Sequence, residues 1–466
     1  MMTIMNTSSI RRRLALSVGA LLLLAGCHGT VTDGLLRAPD PDLINPADIN
    51  NADGANGLRL GALSRLRDMT AGTESSWLFG GLLADEWSTS STFIQNDEAD
   101  ERTITLSNSS VTAQFRTIMR ARTAANQAIA SLTTFAPTPS SNIAEMYLVR
   151  GFAELQAASD FCNGIPLTDA SKPVIVYGQP LTVLQVFTIA SASLDTAISL
   201  SSATDAATVR VNTAAKIAKA RAQMGLGNYA TAATLVSGIA TTYSYDATFA
   251  TSSGDNILWS QPLSQRRYTV GDSLEGNARN LLIANVIPFG SAGDPRVPVS
   301  YTIQNGKDTV KSQDGFTFSR TTTLWAQSTT VPILSGVDAR MIEAEAFLAA
   351  GNTASWLSTL NAIRATPPKL GTITLTGAQL PALTDPGTAA ARVNLTFREK
   401  AFWTFSRGQR LGDLRRLIRQ YGRTPANTFP VGTHYRGPQY GGDVNLPVPA
   451  DELNNPNFKG CLDRNA

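Results

Sequence analysis

Histidine, the side chain that most often serves as a general base or a metal ligand, is almost missing from this sequence. Only His28 and His434 occur in 466 residues. A Ser-His-Asp triad or a histidine-rich metal site therefore has almost nothing to be built from. Two carboxylates could still hydrolyse a glycosidic bond, but 36 Asp and Glu residues single out no pair. The sequence therefore argues against an enzyme, and it indicates no cofactor or metal site.

Two further patterns could hold an ion or a phosphate group, and both lack essential positions. The acidic run Asp97-Glu98-Ala99-Asp100-Glu101 is without the spaced Asp or Asn residues and the turn glycine of a calcium loop. We therefore expect a solvated run of charges. No glycine-rich loop is followed by the lysine that phosphate binding requires.

The N-terminus has the features of an export signal. Arg11, Arg12 and Arg13 precede an apolar run, 14–25, that is too short for a permanent transmembrane helix. The run ends in Leu24-Ala25-Gly26-Cys27, which resembles the bacterial lipobox. We expect residues 1–26 to be a signal peptide and Cys27 to carry lipid.

The mature chain is electrostatically balanced. Removal of residues 1–26 takes away three arginines and no acidic residue, so the formal charge falls from +3 to zero. Nucleic-acid binding needs a basic face, and none is indicated. Residues 27–56, rich in Pro, Asp and Asn, predict an extended tether.

Cys162 and Cys461 are the remaining cysteines after Cys27. In an oxidising compartment they are a candidate disulfide joining the middle of the chain to its C-terminus. Two buried free thiols are the alternative, and sequence alone does not decide between them.

Helical periodicity dominates the rest of the chain. Two segments predict paired helices joined by a short turn, Gly227-Asn228 in the first and Gly351-Asn352 in the second. Glycine ends a helix at low cost because it tolerates left-handed backbone. Both pairs are typical of tetratricopeptide-type hairpins, but their spacing far exceeds the roughly 34 residues of a tandem array. The hairpins are therefore scattered among insertions.

The stretch between these hairpins departs from helix. Val297, Val299, Tyr301 and Ile303 alternate before Asn305-Gly306, which predicts a tight β-hairpin. Long Ser/Thr/Gly-rich loops surround it, and such loops often carry binding surfaces.

The C-terminal third has the most distinctive pattern. It contains Phe397-Arg398-Glu399-Lys400-Ala401-Phe402, Gly408-Gln409-Arg410-Leu411-Gly412-Asp413-Leu414-Arg415-Arg416, Leu446-Pro447-Val448-Pro449 and Glu452-Leu453-Asn454-Asn455-Pro456-Asn457. Acids and arginines at three- and four-residue spacing can pair along or between helices. We interpret five of them as a structural ion-pair network rather than a ligand site: Arg398, Glu399, Arg410, Asp413 and Arg416.

These blocks resemble the C-terminal signature of the SusD/RagB family of outer-membrane nutrient-binding lipoproteins. A turn similar to the family's G-x-x-P-L follows a predicted helix over about 142–160. Its residues are Asn163-Gly164-Ile165-Pro166-Leu167. The resemblance covers most of residues 40–460. It departs at Thr404-Phe405-Ser406, where the family has Phe-Glu-Gly, and at residues 28–34, which lack the acidic cluster of surface-exposed relatives.

The resemblance implies a mainly α, SusD-like fold of scattered tetratricopeptide-type hairpins, with long loops and a small β-hairpin insertion. A SusD-like N-terminal helical region would span 57–260 and a RagB/SusD C-terminal region 261–466. The protein would be lipid-anchored in the cell outer membrane, facing the exterior. It would capture an oligosaccharide or similar nutrient and deliver it to a SusC-like, TonB-dependent transporter.

Relatives hold glycans by stacking sugar faces on aromatic rings, which implies a set of candidate ligand-binding residues. These are Trp77, Trp87, Phe93, Tyr268, Trp325, Tyr435 and Tyr440. Burial in the core competes with ligand stacking for each ring.

Two other functions compete with nutrient capture. A lipid-anchored helical-repeat scaffold that binds envelope proteins would carry a tandem 34-residue repeat, which this sequence lacks. A carboxylate-based glycosidase would release product from polysaccharide.

Overall fold

Helices supply most of the fold. The computed structural model describes residues 50–73, 75–276, 279–301, 303–304 and 307–466. The helices within these ranges are α1 (Ala52–Thr70), α2 (Ser76–Leu83), α3 (Ile94–Asp100), α4 (Ser109–Phe135), α5 (Ser140–Asp160), α6 (Val183–Leu200), α7 (Ala206–Gly225), α8 (Tyr229–Val236), α9 (Ile257–Trp259), α10 (Gly336–Ala349), α11 (Thr353–Ala365), α12 (Ala389–Trp403) and α13 (Arg410–Tyr421). The prediction of a mainly α protein is confirmed.

The long helices pack in succession. Contacts run from α1 to α4, then through α5, α6, α7, α8 and α10 to α11. Alanines dominate many of these contacts: Ala121, Ala125 and Ala128 lie fully buried along α4. Small side chains let helix axes approach closely, so the row is dense and buries α5 on nearly every side.

Both predicted helical hairpins are confirmed. Gly227 (φ 80°) separates α7 from α8, and Gly351 (φ 73°) separates α10 from α11. The structure adds a contact that spacing alone did not indicate, because α8 of the first hairpin packs on α10 of the second. The two hairpins are therefore neighbours in space although long loops separate them in sequence.

The strands are short and form two-stranded antiparallel pairs. The pairs are β1 (Trp87–Thr89) with β5 (Tyr268–Val270), β2 (Ile165–Pro166) with β3 (Pro180–Leu181), β4 (Ser244–Ala247) with β12 (Val331–Ser335), β6 (Leu274–Glu275) with β7 (Leu281–Leu282), β8 (Val299–Ser300) with β11 (Thr321–Thr322), and β9 (Ile303–Gln304) with β10 (Lys307–Asp308). Gln304 pairs with Lys307 across the predicted hairpin turn. The β-hairpin insertion is therefore confirmed.

Residues 50–466 form one compact unit. Its main hydrophobic core runs through the helical row, and a smaller cluster around Trp356 and Trp403 lies under α10 and α11. The proposed boundary between regions 57–260 and 261–466 stays a prediction. Residues 1–49, which include the signal segment, Cys27 and most of the tether, lie outside the described residues.

A disulfide joins Cys162 to Cys461, with a Cα–Cα distance of 6.0 Å. Cys162 follows α5 and is fully buried, and its backbone N–H donates to Leu446 O at 2.9 Å. The Leu-Pro-Val-Pro stretch therefore runs beside the end of α5 before the chain reaches Cys461. Of the two alternatives left open by the sequence, the structure contains the bonded pair.

One helix in the described part of the chain, α6, is long and apolar enough to cross a membrane by length and composition. Its mean hydropathy is 1.5, and 44% of it is buried inside the protein. It packs along α5 and α7, as the core helix of a folded domain does.

Candidate ligand-binding surface

Four loops converge beside the β1–β5 strand pair. They comprise residues 90–93, 265–267, 311–318 and 434–440. The N–H of Ser90 donates to Arg267 O at 3.0 Å, and Ser90 O accepts from the N–H of Asp314 at 3.3 Å. Arg436 joins the fourth loop to the first and the third. Its Nη2 donates to Ser91 O at 3.1 Å and to Asp314 Oδ2 at 3.0 Å.

These loops carry rings that solvent can reach. The side chains of Phe93 and Phe316 are 50% and 53% exposed. The guanidinium carbon of Arg267 lies 4.4 Å from the centroid of Phe93 and covers part of that ring. Tyr435 is partly exposed and is fixed by its hydroxyl, which donates to Thr89 O at 2.7 Å. We call this surface the aromatic face and define it as Phe93, Phe316, Tyr435, Arg267 and Arg436.

The aromatic face combines two kinds of contact that suit a polyhydroxylated ligand. An exposed ring can receive the C–H face of a sugar. The loops use Nε and Nη1 of Arg267 and Nε and Nη2 of Arg436, so Arg267 Nη2 and Arg436 Nη1 are the guanidinium groups left to donate to hydroxyl oxygens. Each such contact is weak in water, so several must act together on one ligand. The convergence of four loops places them on the same part of the protein.

His434 is buried beneath the loop at 434–440 and packs against two tyrosines of that loop. It is 1% exposed, and its ring lies 4.4 Å from the centroid of Tyr435 and 5.3 Å from that of Tyr440. Its Nε2 is 3.2 Å from Asp100 Oδ2, and its Nδ1 is 3.4 Å from Glu101 Oε1. Burial opposes the charged form, but the two carboxylates outweigh it and raise the pKa of His434.

The acidic run supports the same loops from inside, so the expectation of a solvated run is wrong. Asp100 is buried and accepts the N–H of Thr89 at 2.6 Å. Asp97 accepts the Thr89 hydroxyl at 2.9 Å and lies 3.2 Å from Arg436 Nε. Burial raises the pKa of Asp97 to about 6. Helix α3 packs against β1, and this packing brings the carboxylates within hydrogen-bonding distance of the loops.

The predicted ion-pair network is confirmed for four of its five members. Arg410 forms a bidentate pair with Asp85, at 2.6 and 2.7 Å, and Glu399 accepts from Arg296 at 2.8 and 3.0 Å. Asp413 accepts from Lys400 Nζ at 2.7 Å. These groups are almost fully buried, and buried charges need such partners.

Arg416 completes the network, and Arg398 stands apart from it. Arg416 pairs with Glu345, which also accepts the Tyr421 hydroxyl at 2.7 Å. Arg398 is exposed, and its guanidinium carbon lies 4.9 Å from the Phe402 centroid. It has no acidic partner among the described residues. Its assignment to the network was wrong because its exposed guanidinium contacts an aromatic ring and no acid in that part of the structure.

A separate cleft of about 300 Å³ lies between the two core clusters. Aromatic rings line much of it: Trp325, Phe402, Trp403 and Phe405. Its two buried arginines are already engaged, Arg296 with Glu399 and Arg407 with Asp338. All four of those rings are buried, whereas Phe93 and Phe316 are about half exposed, so the aromatic face is the better candidate for stacking on a sugar.

No family model matches this sequence, and no curated protein does. Solved structures do match. A SusD-like carbohydrate-binding protein from Bacteroides fragilis superposes with a TM-score of 0.65 at 14% identity, over 88% of this chain and 99% of that one. A SusD superfamily protein from Bacteroides vulgatus gives 0.62 at 15% identity, over 89% and 99%. A laminarin-binding SusD-like protein gives 0.56 at 15% identity, over 88% and 99%.

This chain has the SusD-like fold. The resemblance predicted from the C-terminal motif is thereby confirmed at the level of the fold. At the departure Thr404-Phe405-Ser406, Phe405 packs in the core, and Ser406 has the left-handed φ of 60° that favours glycine. The serine hydroxyl accepts Trp325 Nε1–H at 2.8 Å, a contact that glycine would not make.

The SusD-like fold buries three of the candidate rings. Trp77 is fully buried, and its Nε1 donates to Gln156 Oε1 at 3.2 Å. A Cβ at Gly408 (φ 63°) would lie 1.9 Å from Trp77 Cδ1, so glycine is needed for this packing. Trp87 is 1% exposed, and Trp325 is 3% exposed inside the apolar cleft. None of the three presents a ring face to the solvent.

The remaining candidates lie at or beneath the aromatic face. Phe93 and Tyr435 belong to it, and the partly exposed Tyr440 lies behind them against His434. Tyr268 is only 8% exposed and packs edge-on against Trp87 at 6.5 Å. Their roles as ligand contacts stay predictions.

Sequence reasoning missed Phe316, Arg267 and Arg436. Phe316 follows Asp314-Gly315, a turn in which Gly315 has φ 68° and Asp314 Oδ1 accepts the N–H of Phe316 at 2.9 Å. An isolated aromatic residue directly after an Asp-Gly turn in a polar loop is a usable signal for an exposed ring. The two arginines carry no local signal, because their partners come from other loops.

Proposed function

We propose that this chain is a non-catalytic glycan-binding protein of nutrient uptake, which captures an oligosaccharide on the aromatic face. The observation that carries the proposal is the convergence of Phe93, Phe316 and Tyr435 with two arginines on a SusD-like scaffold. Carbohydrate binding by similarly folded proteins, one of them a laminarin binder, supports it.

The finer parts of the proposal concern where the protein works. Lipid on Cys27 would hold it at the cell outer membrane, facing the exterior. A SusC-like, TonB-dependent transporter would receive the bound glycan. The lipobox-like tetrapeptide and the SusD-like fold support these parts.

Glycan binding is tested by affinity electrophoresis of the full chain in gels containing laminarin, starch, xylan or pectin. One polysaccharide should retard the protein, and Phe93→Ala and Phe316→Ala should each weaken that retardation about tenfold, since loss of one stacking contact is worth about 1.4 kcal/mol. Phe135→Ala, at an exposed ring on the end of α4, is the matched control and should bind normally. Unchanged retardation of both Phe93→Ala and Phe316→Ala would contradict the proposal.

The partner is tested by purification through the native anchor in gentle detergent. A transporter barrel should co-purify with the wild-type chain and with Phe93→Ala, because the aromatic face is assigned to glycan. Recovery of an envelope-assembly complex instead would favour the helical-scaffold alternative. Release of sugar from polysaccharide by the purified chain would favour a glycosidase.

A further inference from the structure

A second pocket, distinct from the aromatic face, has an unusual set of polar groups. It encloses about 360 Å³ between α12, α13 and the loops at 285–287 and 427–428. Among the described residues, its lining includes arginines and amides and no carboxylate. The groups that matter are Arg398, Arg410, Arg423, Asn394 and Asn427.

Two of the arginines keep their charge uncompensated. Arg410 is neutralised by its bidentate pair with Asp85. Arg398 makes no ion pair with any residue that the structure describes, and Arg423 bonds only the neutral amide oxygen of Asn394 through its side chain. The pocket therefore has an excess of about two positive charges.

Arg398 is held with its donors free. Its guanidinium carbon lies 4.9 Å from the centroid of the Phe402 ring, a cation–π contact that uses none of its N–H groups as hydrogen-bond donors. None of those N–H groups donates to another side chain or carbonyl in the described ranges. An exposed guanidinium with free N–H groups can donate to a planar or tetrahedral oxyanion.

Two of the three amide side chains in the lining, Asn394 and Asn427, have their oxygens engaged. Asn394 Oδ1 accepts from Arg423, and Asn427 Oδ1 accepts the N–H of Thr424 at 2.9 Å. With each amide oxygen occupied, the group left without a partner in the described structure is the NH₂. The unpartnered groups of Asn394 and Asn427 are thus donors, whereas the third amide, Asn285, donates its NH₂ to Ala426 O and Phe429 O and leaves its oxygen as an acceptor.

The direction in which the pKa of Arg423 shifts agrees with an excess of positive charge in the pocket. Arg423 is partly buried, and burial together with the charge of Arg410 lowers the pKa of Arg423. An anion in the pocket would relieve that repulsion.

We propose that this pocket binds an oxyanion group, a carboxylate or sulfate carried by a sugar residue, through Arg398, Arg423 and the NH₂ groups of Asn394 and Asn427. A volume of about 360 Å³ falls in the range of small-molecule sites and admits a single sugar ring. The pocket would favour acidic over neutral glycans. It stands independently of the aromatic face, because the two share no residue.

The test follows the melting temperature of the full chain against sodium D-glucuronate, sodium sulfate and D-glucose, with NaCl holding the ionic strength constant. Glucuronate or sulfate should raise Tm with saturation, and glucose should not raise it through this pocket. Arg398→Gln should weaken apparent affinity about tenfold, since one charge-assisted contact is lost. Asn394→Asp, which replaces a donor by an acceptor and pairs with Arg423, should abolish binding.

Arg392→Gln is the control, because it removes the same charge from the same helix while Arg392 is engaged by Asp385 at 2.8 Å outside the pocket. Phe93→Ala should bind the anions normally, which separates this site from the proposed glycan face. Tighter binding of glucuronate than of sulfate identifies a sugar-borne carboxylate as the ligand group, and the reverse order identifies a sulfate. Anion responses equal to the NaCl control, or equal in Arg398→Gln and Arg392→Gln, overturn the proposal.

Discussion

Glu86 should make the stability of this protein fall as pH rises. Its side chain is 1% exposed, and Oε1 accepts the N–H of Ser406 at 2.8 Å. Oε2 has no partner in the described structure. Burial, reinforced by the neighbouring Asp85, raises the pKa of Glu86 from 4.5 to about 8. The folded protein therefore holds this proton at pH 7, whereas the unfolded chain has released it.

The size of the effect follows from these two pKa values. Between them the folded state binds one more proton than the unfolded state, so the free energy of unfolding falls by about 1.4 kcal/mol per pH unit. From pH 5 to pH 8 the loss is roughly 3–4 kcal/mol. Glu86→Gln keeps the shape and the acceptor for Ser406 but does not titrate. The variant should therefore lack this part of the pH dependence.

Urea unfolding at pH 5, 6.5 and 8, followed by tryptophan fluorescence, measures the difference between wild type and Glu86→Gln. The variant should gain stability relative to wild type by roughly 3–4 kcal/mol between pH 5 and pH 8. Asp195→Asn, at an exposed carboxylate paired with Lys219, should follow the wild-type slope. Parallel curves for wild type and Glu86→Gln would refute the reasoning.

Three other contacts give measurable expectations. Replacing Cys162 and Cys461 by serine should lower the free energy of unfolding by about 5 kcal/mol in urea, because the bridge closes a loop of 299 residues. Arg410→Met should cost about 3–5 kcal/mol by the same assay, because Asp85 stays buried without its partner, and adding Asp85→Asn should restore much of the loss. His434→Gln should remove a stabilisation that is complete below about pH 6.5 and is lost as pH rises through the raised pKa of His434. Hydrogen exchange of α3 at pH 6 and pH 8 reports it.

Each of these three predictions would be contradicted by a specific result. A serine variant that unfolds at the wild-type urea concentration would mean that the bridge does not stabilise the folded protein. No recovery in the Arg410 and Asp85 double variant would mean that packing, not charge, explains the loss. Equal protection of α3 in wild type and His434→Gln at pH 6 would mean that the histidine charge does not hold the loops.

The local structural elements could be predicted from the sequence because the contacts that form them span only a few residues. The helical hairpins were predictable from apolar spacing and from Gly227 and Gly351, since a helix is set by contacts three or four residues apart. The β-hairpin and the turn at Gly164 follow from equally short signals. The C-terminal motif added the fold by resemblance, which local periodicity does not supply.

The candidate site depended on contacts that no local pattern contains. Trp77 and Phe93 are both aromatic residues in the same early region, yet one packs under Gly408 and the other reaches solvent. Arg410 and Arg398 belong to one motif, but only Arg410 meets an acid, which comes from more than 300 residues away. The sequence determined which side chains could stack or pair. Tertiary packing decided which did, because burial and charge neutralisation are set by neighbours that only the folded chain brings together.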